Sequence, residues 1–193
     1  MPTWASPSVC TGFETICNDG VDNNGNGLTD AADPNCTLPA YFTACGAGES
    51  LHVFPAAGLP LTIPDSNATG VTSTINVVGV GTVNRVAILY NILQTFDGDI
   101  DMFLTGPVGA QLEICTDNGS SSDNFTNTIL DSTCPTSITG GVAPFSGCFA
   151  PESSFAIYNG QSGNGAWTLK VADDAGGDIG TLQNWRLIMC TTP

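Results

Sequence analysis

Positive charge is scarce in this chain. Its 193 residues contain three basic side chains, Arg85, Lys170 and Arg186, and one histidine, His52, against eighteen aspartates and glutamates, for a net charge of −15. That balance repels phosphate backbones and anionic lipid surfaces, so nucleic acid is not expected as a partner. No apolar run approaches the ~20 residues that span a bilayer, so membrane insertion is not expected either. There is no Gly-x-Ser-x-Gly elbow and no Gly-x-x-x-x-Gly-Lys phosphate cradle. The lone His52 reads as a surface residue near a strand start rather than a base. The chain is therefore not expected to be an enzyme. Its first ten residues lack a basic start and an apolar centre, so any export leader is expected to have been removed already.

Eight cysteines are present, at 10, 17, 36, 45, 115, 134, 148 and 190, and none stands in a C-x-x-C spacing. An even count without zinc spacing reads as disulfides, and disulfides place the protein in an oxidising compartment, outside the cell or on its surface. Cys17 and Cys36 bracket one acidic loop and are expected to pair. Cys10 and Cys45 bracket that unit and are expected to pair outside it. Cys115, Cys134, Cys148 and Cys190 complete the disulfide set, with their connectivity left open.

The bracketed loop is the chain's most distinctive stretch. Counted from Asp22, side-chain oxygens fall at position 1 (Asp22), 3 (Asn24), 5 (Asn26), 9 (Asp30) and 12 (Asp33). Gly27 stands at position 6 and Leu28 supplies a backbone carbonyl at position 7. That is the ligand ladder of an EF-hand loop, so calcium is the expected cofactor. Asn at positions 3 and 5 lowers the ligand charge, and Asp33 replaces the usual bidentate Glu. Both changes point to weak, extracellular-grade affinity, on the order of 10⁻⁴ to 10⁻³ M.

The organisation changes near residue 46. Residues 1–45 are too short to build a core and need metal and disulfides to hold them. Residues 46–193 alternate Thr-, Val- and Ile-rich stretches with Gly, Asn, Asp and Pro clusters. Strands are expected at 72–78, 83–92, 100–105, 111–115, 154–158, 166–172 and 184–189. No stretch sustains a helical period. The expected fold is all-β, a jelly-roll β-sandwich preceded by a small calcium-loop segment.

An ordered series of short motifs carries a resemblance. Leu61–Asp65, Thr72–Ile75, Thr95–Asp101, Gly106–Gly109 and Ser122–Phe125 come first. Thr128–Asp131, Ala143–Gly147, Pro151–Glu152, Gly165–Leu169, Val171–Asp173 and Gly177–Leu182 follow, closing on Trp185. The series resembles the P domain of proprotein convertases and kexin-like subtilases over about residues 53–189. The resemblance implies a jelly-roll sandwich with Trp167 and Trp185 in its core. The N-terminal segment resembles the Asp/Asn-rich calcium repeats of secreted bacterial proteins, akin to thrombospondin type 3 repeats and dockerin loops.

A second acidic group is Asp97, Asp99 and Asp101, with Asp123, Asp131 and Glu152. If 100–105 is a strand, Asp97, Asp99 and Asp101 point one way at its mouth, where crowded carboxylates repel unless a cation bridges them. The resemblance implies calcium at Asp99, Asp101 and Asp123, with Asp131 as a further ligand. A turn about Gly98 with hydrogen-bonded carboxylates is the alternative. Asp173, Asp174 and Asp178 read as solvated turn acids. The functional expectation is a secreted, calcium-stabilised structural or interaction module, self-assembling as a filament or surface layer. Its expected partners are other copies of itself or other extracellular proteins. The alternative is the non-catalytic accessory P domain of a larger secreted protease or adhesin.

Overall fold

Residues 20–22, 27–29 and 45–193 are described by the computed structural model. The expectations for Cys10, Cys17, Asn24, Asn26, Asp30, Asp33 and Cys36 lie outside those residues.

Period-2 alternation builds the strands. In β3 (Asn67–Val77), Ser73, Ile75 and Val77 are buried while Thr72, Thr74 and Asn76 are exposed. In β5 (Ile100–Thr105), Ile100, Met102 and Leu104 turn inward. β4 (Thr82–Leu93) reads instead as a continuous apolar run from Val86 to Tyr90, because both of its faces are buried. Val86, Ile88 and Tyr90 join the main core, whereas Ala87 and Leu89 join a smaller cluster with Leu51, Val53, Ile129 and Ile188. Successive side chains of a strand leave opposite faces, so the second cluster lies on the outer side of that sheet.

The remaining strands are β1 (Ser50–Pro55), β2 (Leu61–Ile63), β6 (Gln111–Thr116), β7 (Phe125–Asp131), β8 (Gly147–Phe149), β9 (Gly165–Asp173) and β10 (Gly180–Thr192). The first sheet runs β1-β10-β4-β7-β8, with β2 also on β10; the second runs β3-β9-β5-β6. All pairings are antiparallel except β7 with β8. The two sheets face each other across the core, as expected of a β-sandwich. Trp185 of the first sheet donates its indole N–H to Ser73 Oγ of the second at 2.9 Å, which satisfies both polar atoms inside the core. Trp167 is fully buried beside Tyr158, ring centroids 4.7 Å apart, and donates to Gly163 O.

Several expectations are corrected. Residues 154–158 are not a strand. Phe155–Tyr158 is a 3-10 turn capped by Ser154 Oγ, which accepts from Ala156 N, and its three-residue period turns both aromatic rings inward. His52 is buried at 4% exposure, its Nε2 3.0 Å from Thr191 Oγ1. Cys45 bonds Cys190 rather than Cys10, and Cys134 bonds Cys148. Cys115 forms no disulfide; it is buried in β6, and burial pushes its thiol up to about 12. Strand geometry explains the first pairing: β1 runs beside the end of β10 with Leu51 opposite Cys190, and the turn closed by Glu49 N on Gly46 O brings Cys45 back to the start of β1. A non-reducing peptide map is expected to recover Cys45 linked to Cys190, with Cys115 alkylated only after unfolding. A Cys10–Cys45 peptide would refute the assignment.

Candidate cation site

β5 is entered through a tight 3-10 turn, Asp97-Gly98-Asp99. The turn is held to the loop at 117–124 by two backbone bonds, Asp97 N to Ser122 O and Gly98 N to Ser120 O, both 2.9 Å. Glycine is required on both sides of this contact. A Cβ on Gly98 would lie 3.0 Å from Ser120 Cα, and one on Gly119 (φ 101°) would lie 2.7 Å from Asp97 Cβ. The loop thereby seals Asp97 from solvent.

Because Asp97 is in a 3-10 turn, the strand alternation does not reach it. It turns into the protein while Asp99 and Asp101 stay half-buried, so the three carboxylates do not point one way. Asp97 is 0% exposed, and neither of its carboxylate oxygens has a hydrogen-bond partner. Burial raises its pKa to about 7. Asp123 adds to the rise, and the Asn124 N–H, which donates to Gln94 O rather than to the carboxylate, offsets part of it.

Tyr90, Thr128, Gln94 and Asp173 also carry buried oxygens without a partner, and the last two are an amide and a carboxylate. Gln94 follows β4, and Asp173 ends β9. Gln94 Nε2 donates to Asp173 Oδ2 at 2.9 Å, leaving Gln94 Oε1 and Asp173 Oδ1 without partners. Burial raises Asp173, and the Gln94 bond opposes the rise. Asp173 therefore departs from the solvated-turn reading. The rest of that turn is outside: Asp174 is exposed, and Asp178 accepts a hydrogen bond from Thr95 Oγ1. Asp99 is raised by burial and then by Asp173, Asp178, Asp174 and Asp117. Asp101 is raised to about 6 by burial, then by Asp174, Asp117 and Glu113, with Lys170 opposing.

Four oxygens on Gln94, Asp97 and Asp173, all of them acceptors, are thus buried without a partner. Buried acceptors without donors are costly, and an all-oxygen donor set is what a hard cation such as calcium takes. The residues fit that ion in chemistry. Among the described residues, however, no three carboxylates bring one oxygen each within 4.8 Å of one another; the single close group is Cys45, Glu49 and Cys190, two of them disulfide sulfurs. Asp99, Asp101 and Asp123 therefore form no carboxylate cage.

Asp131 is taken elsewhere. It is buried in β7, where its Oδ2 meets Arg85 Nη2 at 2.6 Å and Nε at 2.8 Å, and its Oδ1 accepts from Thr133 N and Oγ1. Both oxygens are saturated, which removes Asp131 from the expected ligands. The adjoining cleft, lined by Asn84, Arg85, Ser132 and Phe155 among others, holds about 120 Å³, below the roughly 300 Å³ at which small-molecule sites begin. Glu152 serves structure: it accepts from Thr116 N at 2.8 Å and also from Thr116 Oγ1.

In the N-terminal loop, Gly27 N donates to Asp22 Oδ2 at 2.7 Å, and Gly27 has φ 90°. The glycine at position 6 thus closes back on the acid at position 1 with a backbone that L side chains rarely adopt. Leu28 is exposed.

The signals missed in the sequence were local ones. Asp173 follows the buried pair Val171-Ala172 directly, and Gln94 closes the apolar run of β4.

A two-sheet sandwich with an acid-rimmed, oxygen-lined edge defines the class: a β-module with a candidate cation site. The chain belongs to the proprotein convertase P-domain family, whose model matches residues 83–189. It is similar to leupeptin-inactivating enzyme 1 of Streptomyces exfoliatus, 28% identical over 183 residues, covering 91% of this chain and 35% of that protein. Residues 45–193 make up only about three quarters of this chain, so that match reaches into the N-terminal segment. Teneurin-3 of Danio rerio is 45% identical over 38 residues, 20% of this chain and 1% of that protein. Among solved structures, the serine protease of Aeromonas sobria in complex with its chaperone aligns with a TM-score of 0.49 and 16% identity, over 82% of this chain and 29% of that one. The chain spans about a third of the length of the enzyme from Streptomyces and of the protease from Aeromonas.

Proposed function

We propose that this chain is the non-catalytic accessory part of a larger secreted hydrolase, a P domain with a calcium-loop segment ahead of it. One observation carries the reading: the similarity to leupeptin-inactivating enzyme 1 runs along 91% of this chain yet only 35% of that protein, and the P-domain family model falls at residues 83–189. A P domain that matches part of a longer enzyme fits a role in supporting or positioning a neighbouring catalytic part. The two disulfides support an extracellular setting. A self-assembling filament draws no support from the fold or the relatives.

Calcium belongs to this proposal. In the sandwich it would be anchored by Asp97 and completed by backbone carbonyls and water, while Asp99 and Asp101 supply field from the rim. Asp123 acts on the same region through Asp97. In the N-terminal segment, Asp22 would start the loop that Asn24, Asn26, Leu28, Asp30 and Asp33 complete. The ion would supply the positive charge that a chain of −15 lacks. The product isolated from its native source is expected to have a mass well above 19.8 kDa, and the 193-residue chain alone to show no peptidase turnover. A mature native product of 19.8 kDa would rule out the accessory role.

A further inference from the structure

Five strands have a sheet partner on one side only, β1, β2, β3, β6 and β8, and β3, at 11 residues, is the longest of them. The outer side of β6 is covered by backbone bonds from Glu152 N to Ile114 O and Ser153 N to Glu113 O. β8 is three residues long and tied down by Cys134–Cys148. β1 is six residues long and ends on Pro55, which has no N–H to donate, and β2 is three residues long.

β3 is different. It pairs with β9 from Val71 to Val77, and among the described residues no strand lies on its other side. Those seven residues, Val-Thr-Ser-Thr-Ile-Asn-Val, include no charge, no proline and no glycine. Every second one turns its N–H and C=O away from β9. Long, flat, uncharged edges of this kind are what proteins ordinarily guard against, because they template pairing with another chain. The clean edge has a definite start. Between Asn67 and Val71 the register shifts, and Gly70 (φ 62°) backs so tightly onto β9 that a Cβ there would lie 2.2 Å from Val171 O. It has a definite end at Val77, where Val78 follows at 79% exposure.

We infer that β3 is a pairing edge whose occupant is β3 of a second copy of this chain, antiparallel about a two-fold axis at Thr74. In that register Val71 faces Val77, Thr72 faces Asn76, Ser73 faces Ile75 and Thr74 faces itself. The pairing uses the whole clean edge and opposes no charges, and Thr–Thr contacts across strands are favourable. It also keeps Ser73, Ile75 and Val77 on the core side in both copies. Charge fixes the orientation. The acidic rim lies at the Asn67 end, where Asn67 pairs with Asp173. The other end, where Val77 pairs with Gly165, is neutral. Antiparallel pairing sets each acidic end against a neutral one, whereas parallel pairing stacks acid on acid in a chain that already carries −15. The two-fold contact is self-complementary and closes, giving a dimer rather than a fibre. One strand pair falls at the small end of specific interfaces, below about 1,200 Å², so the dimer is concentration-dependent.

Sedimentation velocity on the 193-residue chain, from micromolar to millimolar, tests this. The wild type should pass from monomer to dimer across that range. The Thr74 side chain is exposed, so Thr74→Lys and Thr74→Glu should each keep the native circular dichroism. Each should weaken association more than about tenfold, because the two-fold axis sets like charges face to face. Mixing the two variants should restore the dimer as a Lys–Glu heterodimer. A wild type that stays monomeric, as it would if the edge served an extended segment of a different polypeptide, overturns the inference. So does a Thr74→Lys variant that dimerises as the wild type does, or a mixture that fails to reassociate.

Discussion

Chelation is expected to lower the thermal midpoint of the chain, and Asp97→Asn to abolish that effect while raising the midpoint of the metal-free protein. The two opposite signs come from one buried group. A ligand at a hundredfold excess over its dissociation constant stabilises the folded form by about 2.7 kcal/mol, which at this chain length moves the midpoint by roughly 5–10 °C. Without a cation, Asp97 is a buried carboxylate with two unpartnered oxygens and a pKa near 7, far above its ordinary 3.8. The folded state then holds a proton that the unfolded chain releases, so the contribution of Asp97 to metal-free stability is fully present below about pH 4 and is lost as the pH rises to about 7. Asp99, Asp101 and Asp173 are shifted the same way, so they deepen the slope. A bound cation replaces the proton, and its stabilisation therefore grows as the pH climbs through 7. The neutral amide introduced by Asp97→Asn removes both the penalty and the anchor. Asp22→Ala should cancel only the calcium taken up by the N-terminal loop and leave the sandwich midpoint in place. Scanning calorimetry between about pH 5 and 8, with and without calcium, reads all of this. Metal-free stability that rises with pH, or a full calcium response in Asp97→Asn, would break the assignment.

Arg85→Met is expected to be the most damaging single change to the fold. The guanidinium is 17% exposed and its partner carboxylate 1%. Removing it leaves Asp131 charged inside the protein with only Thr133 as donor. Breaking a buried pair from one side costs about 3–5 kcal/mol, whereas replacing both partners with neutral groups is often tolerated. The double variant Arg85→Met/Asp131→Asn should accordingly recover a large part of the loss, measured as a urea midpoint. Calcium titration of the double variant should match the wild type. A weaker isotherm there would return Asp131 to the metal ligands, and an Arg85→Met protein as stable as the wild type would mean the pair contributes little.

Some of this molecule could be read from spacing alone because the governing interactions are local. Alternation in Ile100–Thr105 needs only neighbouring residues, and the strand there has the expected bounds. The motif series from Leu61 to Trp185 carried the family because turns impose glycine, asparagine and aspartate at fixed offsets. The expected Cys10–Cys45 pairing failed for the opposite reason. Cys10 and Cys45 are near in sequence, but β1 and β10 bring Cys45 to a partner 145 residues away. Ser154–Tyr158 has strand-like composition, yet a serine cap and two inward aromatic rings select a 3-10 turn.

Composition and residue period by themselves determined that this is an acid-rich, all-β chain with cysteines for disulfides, because charge balance and residue period do not depend on where the chain goes. Only the tertiary structure decided which acids matter. Gln94 and Asp97 come from the β4–β5 connection and Asp173 from the end of β9, and the 117–124 loop seals Asp97. Asp131, in the same list of acids, was neutralised by an arginine 46 residues away. Burial and the nearest countercharge set the energy of a carboxylate, and both are properties of the packed sheets rather than of the order of residues.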